Sequence, residues 1–331
     1  MKEQLKDTRL NVNIIKGIAI LGVVIGHYLN SNTEINAFGY AYHWIILFYL
    51  TSGYGIYYSL QKRFSGNVQI GKIATYYFDR FMRIMPLFYL VIGLFVISFK
   101  MPFPNIYTLL GIRTQGAWFI ASIMHCYLFS VPLFYLMRKL GNRSFLIILS
   151  VGFFATLVFH AAFLNDISSL SEKPFVYLDF FSGHIYIFGL GMLLARMKDA
   201  LFARPRLIVA FAVFLLTFVA ARAVRGGALN SMMNVLYIFA AMWFVGVFIH
   251  SNLKSNVLRI FDIFGRYSLG IYLIHSKVLA WFANSGLLIG NDLWSIYMLA
   301  VIIPVVLVVA VLLELFVNSL VHSAKYEVLT S

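Results

Sequence analysis

The chain has 331 residues, 61% of them hydrophobic and only 11% charged, with a net charge of +14. This composition excludes a soluble globular domain, and apolar runs of helix-spanning length from end to end exclude a β-barrel, whose strands alternate over about ten residues. The single cysteine, Cys126, excludes an internal disulfide and any cysteine-based metal cluster.

In chain order the apolar runs predict ten spanning helices, centred near Val23, Phe48, Tyr89, Phe129, Phe154, Phe188, Phe214, Tyr237, Leu273 and Val306. An even number puts both termini on one side. If that side is cytoplasmic, most of the 26 lysines and arginines fall inside, leaving Lys100, Arg113, Lys173, Arg222 and Arg225 outside, with Lys16 and Lys277 at helix ends. This bias accounts for most of the basic excess, so no nucleic-acid partner is implied. The expected fold is all-α: a polytopic bundle of about ten transmembrane helices with cytoplasmic termini, integral to the cytoplasmic (inner) membrane and surrounded by lipid. Connections are short and free of Gly-, Ser- or Pro-rich linkers, so residues 1–331 are expected to form a single transmembrane domain. No cleavable signal is expected, because Lys16 to Tyr28 runs on into a polar turn.

The first predicted helix contains KGIAILGVVIGH, Lys16 to His27. Eleven residues advance an α-helix by about 1100°, close to three turns, and by about 16 Å, so Lys16 and His27 share one face. Taken singly, a lysine at a helix end snorkels and a histidine in a span packs. Their alignment allows another arrangement, a cation gripping phosphate at the inner surface while a long donor arm runs up to an imidazole. The second helix carries His43 ahead of its aromatic run, then Ser52 and Gly53, small residues that let helices approach closely. Before the third, KIATYYFDRFMRIMP suits an interfacial helix, with Arg80 and Arg83 on neighbouring positions of one face. Trp118 fits the outer aromatic belt, and His125 follows it on the fourth helix. Tyr267, Ser268, Tyr272 and His275 lie near the inner half of the ninth, while His160, His184 and His250 read as structural.

Several of these segments, in order, resemble the acyltransferase-3 family of integral membrane O-acyltransferases. That family's first helix carries R-x10-H, where this chain has K-x10-H, most like the branch that includes fucose 4-O-acetylases. LFYLTSGYG is similar to the family's aromatic helix ending in Ser-Gly-Phe or Ser-Gly-Tyr, and DRFMRIMP to its R-x2-R-I-x-P element. WFIASIMHCY resembles the W-F-L segment, and GRYSLGIYLIH the late Y-S-x-x-I-Y-L-x-H element. Two departures stand out. Lys16 replaces a bidentate arginine with a point charge, and Ile123, Met124 and His125 stand where many members have paired acids.

The resemblance implies transfer of an acetyl group from acetyl-CoA, held inside, to a hydroxyl of a cell-surface or lipid-linked glycan reached from the outer side, with no metal. His27 becomes the catalytic base or a transient acyl carrier, with Lys16, Arg80 and Arg83 as ligands for the phosphates of CoA. His43, Ser52, Trp118, His125, Tyr272 and His275 are candidates for lining the substrate cavity. The rival class is a secondary transporter or flippase of a lipid-linked saccharide. Acids are nearly absent from the span centres, Glu314 lying towards the inner end of the tenth, which counts against an ion-coupled carrier.

Overall fold

A computed structural model of the protein describes residues 2–32, 41–64, 70–99, 108, 118–163, 176–197, 207–223, 227–251, 258–285 and 292–330. Among these residues there is no strand, and the elements are α1 (Lys2–Asn32), α2 (Ala41–Arg63), α3 (Ile70–Phe99), α4 (Trp118–Phe163), α5 (Val176–Arg196), α6 (Leu207–Ala223), α7 (Gly227–Ile249), α8 (Arg259–Arg266), α9 (Ser268–Asn284) and α10 (Asp292–Thr330). Every predicted span centre falls inside one of these helices. Four stretches, Thr8–Leu29, Ile70–Ser98, Trp118–Phe154 and Tyr297–Val321, are long and apolar enough to cross a membrane, and His184–Arg196, Leu207–Ala221 and Met233–Ile249 are shorter apolar helices. The architecture is a helical membrane bundle.

Helices and predicted spans do not correspond one to one. The spans centred on Phe129 and Phe154 are the two arms of α4, interrupted at Gly141, whose φ of 77° is left-handed and suits a residue without a Cβ. Exposed Arg138, Lys139 and Arg143 flank that break. The predicted interfacial helix and the third span are one continuous helix, α3, with Pro86 in its interior. The ninth span is preceded by the short helix α8.

Lipid tails are as apolar as leucine, so helix association depends on close packing and polar contacts rather than on exclusion of water. The outer faces of α6 and α10 accordingly expose Ile208, Leu216, Val308 and Leu312, whereas α1 is central and fully buries Ile15, Ala19, Ile20, Val23 and Tyr28. Glycines set the closest crossings. A Cβ on Gly17 would lie 1.9 Å from the Phe261 carbonyl oxygen, and one on Gly265 would lie 1.8 Å from that of Asn13. Because 17 meets 261 while 13 meets 265, α8 runs antiparallel to α1. The α2–α5 crossing is built the same way, Gly53 against Phe188 and Gly191 against Leu50. Buried Asn11 seals the end of α7, its amide donating to the carbonyls of Phe248, Ile249 and Ser251 at 3.2, 3.1 and 2.9 Å.

Cations gather at one end of the bundle. Arg138 donates to the Phe64 carbonyl at 3.1 Å, Arg196 donates to the Met137 carbonyl, and both guanidinium groups bear electrostatically on Tyr57. The end of α2, the Gly141 turn and the end of α5 therefore lie together, as the predicted alternation of spans requires.

Candidate active site

The structure brings Lys16 together with Arg80 and Arg83, and His27 together with His275. At the level of Lys16, α3 brings its two arginines to α1: Lys16 is half-buried and feels the positive charge of both Arg83 and Arg80. Like charges gather at a cost unless an anion offsets them. Part of the offset is built in. Arg63 pairs with Asp79 at 2.6 Å, and Glu314 from α10 bears on Arg83. The Tyr76 ring lies beneath two guanidinium groups, with Arg80 at 5.3 Å and Arg63 at 5.7 Å from its centroid. Arg80 also donates to Ser59 Oγ at 3.2 Å, yet its Nε, like Nη1 of Arg63, is buried with no hydrogen-bond partner among the described residues. Such donors are costly to leave empty and are suited to an anion such as phosphate.

Three turns further along α1, His27 is exposed and its ring lies against that of His275, centroids 5.1 Å apart at 38°. His275 is buried, and its Nδ1 is 2.7 Å from the Tyr272 carbonyl oxygen. A carbonyl only accepts, so Nδ1 carries the proton and Nε2 is left as the acceptor. To bring His275 to this level the chain turns back at Tyr267, since α8 runs the other way along α1. Asn13 steadies that turn through a 2.9 Å bond to buried Asp262, which also accepts from Arg266. Glu314 accepts the Gly270 N–H at 2.7 Å, satisfying a first-turn donor of α9 from a neighbouring helix. The sequence signal for Glu314 was its position as an acid within a span; its two partners were not legible.

Tyr272 continues the wall behind the histidines. Its ring lies 5.7 Å from His275 and 5.1 Å from Phe119, and its hydroxyl accepts the Phe119 N–H at 3.3 Å. Beyond Phe119 is a second polar cluster that sequence reasoning missed. Tyr49 donates to Ser122 Oγ at 2.8 Å, and Ser122 Oγ lies 2.6 Å from Nδ1 of His184. Ser122 Oγ therefore bridges the Tyr49 hydroxyl and the His184 ring. The imidazole is stacked between Tyr49, at 4.5 Å, and Trp118, at 5.6 Å.

The remaining candidates lie elsewhere. Trp118 belongs to the His184 cluster. His43 is buried against α6 and α7, with Nε2 3.2 Å from Asn234 Oδ1, its carbonyl accepting from Tyr237 at 2.9 Å, and its ring 5.5 Å from Phe218. Ser52 is half-buried on α2 beside the Gly53 crossing, and His125 is half-buried on α4, three residues beyond Ser122.

With this geometry in hand, comparison with known proteins adds the family. A model of the acyltransferase domain, acyltransferase-3, matches residues 9–315. Neither a curated protein nor a solved structure matches the chain. Nearly the whole bundle is thus covered, from the first turns of α1 to Glu314 and its neighbour on α10, and the chain belongs to the acyltransferase-3 family of membrane acyltransferases.

Proposed function

We propose that the protein is an O-acetyltransferase of the cytoplasmic membrane that moves an acetyl group from cytoplasmic acetyl-CoA to a hydroxyl of a cell-surface or lipid-linked glycan. In pattern it stands nearest the fucose 4-O-acetylase-like branch. One observation carries the reading: a single helix presents Lys16 to Arg80 and Arg83 at one level and His27 to His275 three turns on. The separation, about 16 Å along the axis, suits a carrier whose phosphates are held at one end and whose thioester lies at the other.

In this reading Lys16, Arg80 and Arg83 hold the phosphates of CoA, and the pantetheine arm follows α1 towards His27. The acceptor oxygen attacks the thioester carbonyl while its proton passes to His27. The C–S bond then breaks, and the imidazolium returns the proton to the departing thiolate. His275 packs its ring against that of His27, centroids 5.1 Å apart, and so limits the orientations open to the reacting imidazole. The same His27 nitrogen serves as acyl carrier if the transfer is split into two steps, and rapid-quench trapping of an acetyl-imidazole distinguishes the routes.

The test is transfer of label from radiolabelled acetyl-CoA to surface glycan in membranes carrying wild type or His27→Ala. A positioned general base contributes about 10²–10⁴-fold, so the variant should lose at least 99% of the transfer rate, roughly the lower bound of that range. Unchanged transfer removes the assignment of His27. Absence of transfer to every glycan offered, with wild type, favours the transport alternative.

A further inference from the structure

The cations that α3 gathers are arranged by depth. Arg83 lies furthest along the helix, Arg80 about one turn nearer its start, and next to Arg80 is Asp79, which holds Arg63 from the end of α2. Four residues separate Asp79 from Arg83, about 6 Å along the axis. At the deeper level the charge of Arg83 bears on Lys16 and on the carboxylate of Glu314. Two cations there already face one built-in anion.

The shallower level is built on an aromatic platform. Arg63 gives one nitrogen to Asp79 at 2.6 Å, and Arg80 gives one to Ser59 Oγ at 3.2 Å. Arg63 Nη1 and Arg80 Nε are left buried with no hydrogen-bond partner among the described residues. Both guanidinium carbons lie within 5.7 Å of the centroid of the Tyr76 ring. That ring is fully buried, and its hydroxyl is fixed by a 2.7 Å bond to Ser130 Oγ, the serine itself donating to the Tyr127 carbonyl at 2.6 Å. Asp79 is the only acid in α2, α3 and the first arm of α4, so two held guanidinium groups share one carboxylate. A net positive charge with two empty donors suits an anion rich in acceptor oxygens. A phosphate monoester has three and carries close to two negative charges near neutral pH. The side chains of Arg63 and Asp79 are 26% and 33% exposed, so this level opens towards water.

CoA carries phosphate in two forms. The diphosphate follows the pantetheine arm, and a monoester stands further from the thioester, on the 3′-carbon of the ribose. Counted from His27, the molecule therefore presents the diphosphate first and the monoester second, and the chain presents Lys16 and Arg83 first, then Arg80 and Arg63. We propose that Arg63 and Arg80, held over Tyr76, form a subsite for the ribose 3′-phosphate, and that Arg63 gives the donor site a preference for CoA over its 3′-dephosphorylated form. This rests on the acyltransferase reading above and deepens its donor site. Nothing in the sequence separates Arg63 from the ordinary cations that end a span, because its partners come from α3.

The experiment titrates CoA and 3′-dephospho-CoA calorimetrically into the purified full chain in phosphatidylcholine nanodiscs. Wild type should bind CoA about tenfold or more tightly than 3′-dephospho-CoA, the worth of one hydrogen bond between charged groups. Arg63→Gln should weaken CoA by that factor and leave 3′-dephospho-CoA unchanged. Arg63→Lys keeps the ion pair with Asp79 and carries the test if unfolding midpoints show that the glutamine variant does not fold. Its single ammonium lacks the fork that faces carboxylate and phosphate together, so it should lose most of the preference as well. Lys139→Gln removes an exposed cation at the same end of the bundle and should leave the ratio of the two affinities unchanged. A wild-type ratio in the folded Arg63 variants overturns the proposal, as does a wild type that binds both ligands equally. Phosphatidic acid carries the same monoester on a lipid; if adding it to the nanodiscs abolishes the preference for CoA, the subsite takes a headgroup and the proposal falls. If the preference behaves as expected but no acetyl transfer is found, the subsite stands and the transferase reading falls. If both donors bind equally and both support transfer, the subsite fails and the transferase reading stands. A wild type that binds neither ligand overturns both.

Discussion

Gly265→Ala tests whether the α1–α8 crossing sets the register of the two histidines. The added Cβ would lie 1.8 Å from the Asn13 carbonyl oxygen, against 3.4 Å for ordinary contact, so the helices must separate by about 1.6 Å. A backbone carbonyl inside α1 cannot swing aside as a side chain can. Overpacking of this kind costs about 1–3 kcal/mol. The same displacement stretches the 2.9 Å bond from Asn13 to Asp262 and moves the turn at Tyr267 from which α9, and with it His275, departs. A misplacement of about 1 Å at a reacting centre can cost about 100-fold in rate. Gly265→Ala should therefore lower the unfolding midpoint in detergent and reduce kcat for acetyl transfer by about 10- to 100-fold. Gly93→Ala, with open space around its added Cβ, is the control and should leave both unchanged or slightly improved. A Gly265→Ala protein matching Gly93→Ala in midpoint and rate refutes the argument.

Other consequences are open to measurement. His275→Asn should keep the bundle folded yet shift the pH profile of transfer and lower kcat more than it changes KM; a profile identical to wild type would leave His275 with a packing role only. Ser122→Ala removes the bonds that Ser122 makes to the Tyr49 hydroxyl and to Nδ1 of His184, with an expected loss of about 1–3 kcal/mol in stability and little change in transfer by the remaining folded protein; a folded, stable and inactive variant would instead put the Ser122 cluster in the chemistry. Glu314→Gln keeps an acceptor for the Gly270 N–H but removes the negative charge bearing on Arg83, so CoA should bind more tightly, the gain fading as salt is added; weaker binding would place Glu314 on the donor itself. Arg83→Ala should weaken CoA binding to purified protein without lowering its unfolding midpoint, and unchanged affinity would remove Arg83 from the donor site.

The membrane class, the positions of the helices, and the shared face of Lys16 and His27 were all legible from the residues, because hydropathy and the 3.6-residue period are properties of a short window. Arg80 and Arg83 were legible as a pair for the same reason. Which helix each face would meet was not. That His275 lies on His27 depends on a reversal at Tyr267 and on Gly265 fitting against Asn13, a match of backbone shapes between segments at opposite ends of the chain. The hydrogen bonds among Tyr49, Ser122 and His184 were hidden likewise: each is an isolated polar residue on a different apolar helix, and only packing makes them partners. Local pattern determined which residues form helices and which face is polar. Tertiary packing decided which polar groups meet, because in a lipid solvent that choice is made by close approach and hydrogen bonding between helices, and no single window of sequence contains both sides of a contact.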